Sequence, residues 1–171
     1  MASNGATHAR VGFFMARHCL LGELNTGPRR VSDVLNDPSR QQLVLERVRV
    51  SRPDRPGEPF AEYERMIVRR PAIQAVLVMS EPPRPPEKRF SQYVAKTPVR
   101  LTIALPAMDV TGLFYVAGKT GDPLVLLFDA AETFVAISDA QVSWPNRPGG
   151  PLAVPVVLVN RAHVEAAAAV P

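Results

Sequence analysis

The sequence predicts a mainly β protein: two tandem small open β-barrels, each with one short helix, joined by a proline-rich linker. Three observations carry that prediction. The strand ending VRVSRP (Val48 to Pro53) returns as AQVSWP (Ala140 to Pro145) about ninety residues later. Placing Gly22 over Gly112 aligns ARVGFFMARHCLLGEL with VRLTIALPAMDVTGLF, apolar segment on apolar segment. The loop PDRPGEP (Pro53 to Pro59) has a counterpart in PNRPGGP (Pro145 to Pro151). Self-similarity at a fixed offset is the mark of a repeated structural unit. The units are residues 9–80 and 99–170, with the linker at 81–98.

Each copy reads strand, strand, short helix, strand, loop, strand, strand. In the first two strands an apolar run breaks about five residues before the glycine and resumes through it. Ser32 and Asp122 occupy matching positions, and either side chain is suited to cap a helix start. Pro123 then fits the first helical position. The third strands, QQLVLERVRVSRP and ETFVAISDAQVSWP, alternate apolar and polar residues, so one face is buried and one is wetter. Leu43, Leu45, Val48 and Val50 fall on Val135, Ile137, Ala140 and Val142 and are expected to line the core. The alternation slips near Arg47 and Asp139, which predicts a β-bulge in each copy. MIVRRPAIQAVLVM then matches VVLVNRAHVEAAAAV, with Met66, Val68, Arg70 and Ile73 on Val157, Val159, Arg161 and Val164. Five short, twisted strands in that length curl readily into a small barrel. The sequence leaves open whether the copies stay separate or fuse into one continuous sheet. Between them, five prolines from Pro82 to Pro98 remove backbone donors and favour an extended spacer.

Composition narrows the function classes. Of 171 residues, 46% are hydrophobic, enough for a core, and the formal charge is +4. Residues 1–90 hold 15 Lys+Arg against 10 Asp+Glu (+5), and residues 91–171 hold 5 against 6 (−1), so the basic surface belongs to the first copy. A single cysteine, Cys19, excludes an intramolecular disulfide and fits a reducing compartment. Charged residues interrupt the apolar N-terminal segment, and no apolar run reaches bilayer length. A cytoplasmic location and no membrane partner are expected.

The order of V-x-x, G-x-L, L-V-L-x-x-V and V-R-R-x-x-I resembles the Sm-like (SH3-like) fold, small bent five-stranded barrels that commonly form rings. Gly22-Glu23-Leu24 and Gly112-Leu113-Phe114 stand at the family's Gly-x-Leu step. Val68-Arg69-Arg70-Pro71-Ala72-Ile73 and Val159-Asn160-Arg161-Ala162-His163-Val164 stand at its aliphatic-Arg element. RRVSDVLN in the first copy also resembles an RxSDxLN segment of uncharacterised bacterial proteins with similar architecture. The resemblance implies topology and not the family's RNA site. That site needs a Met-Asn pair after the Gly-x-Leu strand and a glycine after the arginine, and this chain has neither there. Fold analogy does not carry function by itself.

Catalytic readings fare poorly. His8, His18 and His163 occupy non-equivalent positions, and none has metal-ligand spacing with Cys19. His18 and Cys19 are adjacent, so their side chains should point apart. Gly118-Lys119-Thr120 lacks the earlier glycine of a phosphate-binding loop and reads as a turn. Asp33, Asp37, Asp129, Glu132 and Asp139 are scattered rather than paired. No enzyme, cofactor, catalytic or metal site is predicted.

Binding readings are better founded. Arg47 and Arg49 lie two apart on one strand and should share a face, with Arg69 and Arg70 on the strand before Ile73. These four are the candidate contact residues for a partner. Phosphate contact would make the first copy an RNA-binding module, though aromatic residues are only 6% of the chain and none interleaves with these arginines. Arginines on edge strands also prevent aggregation. The leading expectation is a non-enzymatic scaffold or protein-interaction module, a homo-oligomer whose basic first copy meets the less basic second copy head to tail. Three chains would supply six barrels, enough to close a ring.

Overall fold

The computed structural model describes residues 7–83, 95–118, 121–147 and 149–171. The first copy comprises β1 (His8–Phe14), β2 (Cys19–Asn25), α1 (Val31–Leu35), β3 (Gln42–Ser51), β4 (Ala61–Arg69) and β5 (Ala75–Ser80). The second repeats the order with β6 (Lys96–Ala104), β7 (Asp109–Ala117), α2 (Pro123–Phe128), β8 (Phe134–Ser143), β9 (Leu152–Asn160) and β10 (Ala166–Ala169). A 3-10 turn precedes the last strand of each copy, at Arg70–Ala72 and Arg161–His163. The mainly β expectation and the element order therefore hold.

The ten strands form one antiparallel sheet in the order β10-β6-β7-β8-β9-β5-β1-β2-β3-β4. Each copy contributes its strands in the same order: last, first, second, third, fourth. Strand β9 pairs with β5, setting Val159, Leu158 and Val157 opposite Ala75, Val76 and Leu77. The copies thus fuse edge to edge, and β4 and β10 are left at the two ends of the sheet.

The bulges lie where the alternation slips. Leu21 pairs with Arg49 but Glu23 with Glu46, and Thr111 pairs with Gln141 but Leu113 with Ser138. Each extra residue is accommodated by a left-handed backbone, φ 49° at Arg47 and φ 46° at Asp139. The bulged strand leans onto the glycine opposite. A Cβ on Gly112 would stand 2.6 Å from Ile137 Cγ2 and 2.7 Å from the Ser138 carbonyl oxygen, and one on Gly22 would stand 3.0 Å from the Glu46 carbonyl oxygen. The shared glycines therefore mark the site of close strand approach.

Two buried clusters lie against the sheet, one mostly of first-copy residues and one mostly of second-copy residues. All eight third-strand positions predicted for the core are buried. The third strands keep one buried and one wetter face as expected, but strands at the joint are covered on both faces. On β1, Phe13 enters the first cluster and its neighbour Phe14 the second. On β5, Val76 faces the first cluster while Ala75 and Leu77 face the second. On β9, Leu158 faces the first while Val157 and Val159 face the second. Successive strand residues point to opposite faces, so strands covered on both sides carry continuous apolar runs.

Two local expectations need correction. Ser32 is not the cap of α1. That helix starts two residues earlier, Arg30 occupies the cap position, and Asp33 Oδ2 accepts the Arg30 backbone N–H at 3.2 Å. Glu81, the first residue of the expected linker, accepts the Val31 backbone N–H at 2.8 Å and supplies what Ser32 was expected to supply. Asp122 does cap α2, its Oδ1 accepting from Leu124 N at 2.9 Å. The second copy also begins earlier than residue 99, because Lys96, Thr97 and Pro98 pair with Ala117, Val116 and Tyr115. The other side of β6 is paired only from Leu101 to Ala104, so a proline at 98 withholds no donor from a neighbour there. Most of the expected linker, together with Lys119 and Thr120 of the glycine-lysine-threonine turn, lies outside the described residues.

Candidate functional site

The four arginines singled out from the sequence do not form one basic patch. Arg47, raised on its bulge, donates from Nε to Glu23 Oε1 at 2.9 Å, and a second guanidinium nitrogen reaches the other carboxylate oxygen. That hydrogen bond holds the Glu23 carboxyl below its usual range and pushes the Arg47 guanidinium up. Arg49 Nε lies 3.3 Å from Glu62 Oε1 on β4. Arg47 and Arg49 do share one cleft, of about 570 Å³, but Arg10, Arg47 and Arg49 are matched there by Glu23, Glu62 and Glu64. A phosphate would have to displace carboxylates already in place. Arg70 is buried and donates from Nη1 to the Leu35 carbonyl at 2.9 Å, closing the end of α1. Of the four, Arg69 alone stands exposed without an ion-pair partner among the described residues.

The histidine and cysteine behave as adjacent strand residues should. His18 is exposed, while Cys19 is buried as a free thiol that burial pushes up to about 12. Such a thiol is protonated at neutral pH and a poor nucleophile. Among the described residues no group of three or more His, Cys, Asp or Glu is placed to hold a metal ion, and no helix is long and apolar enough to cross a membrane.

The most distinctive construction is the joint between the copies, which the sequence reading missed. Asn160 donates from its backbone to the Gln74 carbonyl at 2.9 Å and from Nδ2 to the Ile73 carbonyl at 2.8 Å. Gln74 Oε1 accepts the Ala107 backbone N–H at 3.0 Å. Both side chains are buried, and such groups are tolerated only when hydrogen-bonded. Asn36, at the end of α1, makes a two-way contact with Phe134: Nδ2 donates to its carbonyl at 3.0 Å and Oδ1 accepts its N–H at 2.8 Å. Phe14 crosses into the second cluster and meets Trp144, with ring centroids 5.8 Å apart. Gln74, Asn160 and Phe14 correspond in the other copy to Glu165, Arg69 and Ala104, and that divergence is the signal that could have revealed the joint.

The ends of the sheet show the same surfaces uncovered. Leu158 on β9 is 3% exposed under β5, whereas its counterpart Ile67 on β4 is 59% exposed. Beside β4 lies an apolar hollow of about 370 Å³, lined by Met15, His18, Leu20, Phe60, Tyr63 and Met66. The matching positions Leu105, Met108, Val110 and Val157 in the second copy are buried in a cluster that also holds Phe14, Cys19 and Leu77 from the first. Strand β10 is four alanines, three of them exposed.

No family model, curated protein or solved structure matches this chain.

Proposed function

We propose that the protein is a non-enzymatic scaffold that self-assembles, each copy a small Sm-like barrel unit and each chain adding its β10 edge to the β4 edge of the next. The observation that carries this reading is the β9·β5 joint, where the fourth strand of one copy pairs with the fifth strand of the other and both faces are covered. The same two strand types are open at the ends of the sheet, as β4 and β10. Carrying the register of the joint across the repeat sets Val68, Ile67 and Met66 opposite Ala166, Ala167 and Ala168 of the next chain. That pairing covers Ile67 and satisfies two rows of backbone groups that otherwise form an exposed edge. The contact is heterologous, so repetition closes a ring if the rotation permits and otherwise extends a filament.

The RNA-binding alternative draws no comparable support, since Arg47 and Arg49 face carboxylates and Arg70 is enclosed. Sedimentation of the purified chain across the micromolar range tests assembly. A mass above that of one chain, rising with concentration to a fixed multiple or an open series, is the expected result. A monomer throughout would sink the proposal.

A further inference from the structure

We infer that the joint between chains is selected by charge, through Glu165 of one chain meeting Arg69 and Arg17 of the next; the inference rests on the self-assembly reading above. Within the chain, the corresponding positions are Gln74, which precedes β5, and Asn160, which ends β9. Gln74 accepts from Asn160 N through its backbone carbonyl and from Ala107 N through its side chain. One repeat away, Gln74 becomes Glu165, Asn160 becomes Arg69 and Ala107 becomes Arg17. The register that brings Asn160 onto Gln74 therefore brings Arg69 onto Glu165 of the next chain, with Arg17 on the far side of the same carboxylate. Arg17, Arg69 and Glu165 are all exposed, and none has an ion-pair partner among the described residues.

The difference between the two joints follows from when each is formed. The internal joint is never open in the folded chain, so neutral amides avoid the cost of enclosing charge. The ends of the sheet face water until a second chain arrives. Charged groups keep a free edge soluble and repel wrong partners, and they are neutralised only by the correct one. The apolar surfaces agree with this division. Phe14, Cys19 and Leu77, which enter the second cluster, correspond to Ala104, Asp109 and Ala168 on the approaching face of the next chain. These small or acidic residues fill less of the hollow beside β4. Asp109 instead adds a second carboxylate to a face that meets Arg17 and His18. Complementary charge sets both the head-to-tail order and the partner, a second copy of this chain.

The test compares the wild type with Arg69→Glu, Glu165→Arg and the double swap by sedimentation over a range of concentration and salt. Both substitutions lie at exposed positions, and Trp144 emission confirms that each variant is folded. The expected result is assembly of the wild type, a loss of about tenfold or more in association constant for each single variant, and recovery in the double swap. Association should also weaken as salt is raised. Single variants that assemble as the wild type does, or a double swap that fails to recover, would overturn the charge-selected joint and leave self-assembly standing. A wild type that stays monomeric would overturn the reading beneath it and this inference together.

Discussion

Replacing Phe14 with alanine tests whether the two copies are held as one cooperative sheet. Phe14 is 1% exposed, lies on a first-copy strand, and packs in the second-copy cluster against Trp144. Truncating a buried phenylalanine costs about 3–5 kcal/mol, part transfer and part unfilled cavity. The ring pair with Trp144 adds roughly 0.5–1.5 kcal/mol that area alone does not count. The cost is therefore expected near the upper part of that range, a large share of the roughly 5–15 kcal/mol of an ordinary domain. Trp144 is the only tryptophan and 5% exposed, so its emission reports on the joint directly. Urea unfolding followed by that emission and by far-ultraviolet circular dichroism should give one coincident transition for the wild type. With a slope of about 2–3 kcal/mol/M, the midpoint of Phe14→Ala should fall by about 1–2 M. Phe60→Ala, at a residue 64% exposed, should stay within about 0.5 kcal/mol of the wild type. A cost below about 1 kcal/mol for Phe14→Ala, or two separate wild-type transitions, would refute the reasoning.

Gly112→Ala should destabilise by about 1–3 kcal/mol in thermal or urea unfolding, and by more than Gly22→Ala, because its Cβ would meet three atoms at 3.0 Å or less; equal, negligible costs would argue against the bulge contact. The Cys19 thiol, pushed up to about 12 by burial, should resist alkylation at pH 8 until the chain is unfolded in urea. Because its folded value lies above the ordinary 9.0, the associated stability is fully present below about pH 9 and falls as pH rises toward 12. Asp37 behaves in the opposite sense: hydrogen bonds from Ser39 and Arg29 hold its carboxyl at about 2. The stability it contributes is present above about pH 4 and is lost as pH falls toward 2, so Asp37→Asn should flatten the acid limb of a melting-temperature profile.

The repeat and its element order were legible because duplication doubles every local signal. Gly22 and Gly112, the slips at Arg47 and Asp139, and the paired loops each appear twice. Apolar alternation marked the third strands correctly because only one of their faces is covered. It was silent on β5 and β9, where burial on both faces replaces alternation with runs such as AVLVM and VVLVN. The face shared by Arg47 and Arg49 was legible as well. Their neutralisation by Glu23 and Glu62 was not, since those carboxylates arrive from neighbouring strands 24 and 13 residues away in sequence. Arg70 read as a surface charge because nothing local announces that the end of α1 folds back onto it. The joint depends on Gln74, Asn160 and Asn36, ordinary polar residues whose importance appears only where the copies are compared and found to differ.

A chain carrying Ile67→Cys and Ala167→Cys, mildly oxidised at micromolar concentration, tests head-to-tail assembly in the proposed register. Strands β4 and β10 stand at opposite ends of the sheet, so the disulfide can form only between chains. Directly opposed residues on antiparallel strands have Cα atoms about 4.5–5.5 Å apart, within disulfide reach. The proposal predicts a reducible ladder of covalent oligomers, with far less of it when the second cysteine replaces Ala169 instead. Monomer alone, or equal cross-linking at both positions, would contradict it.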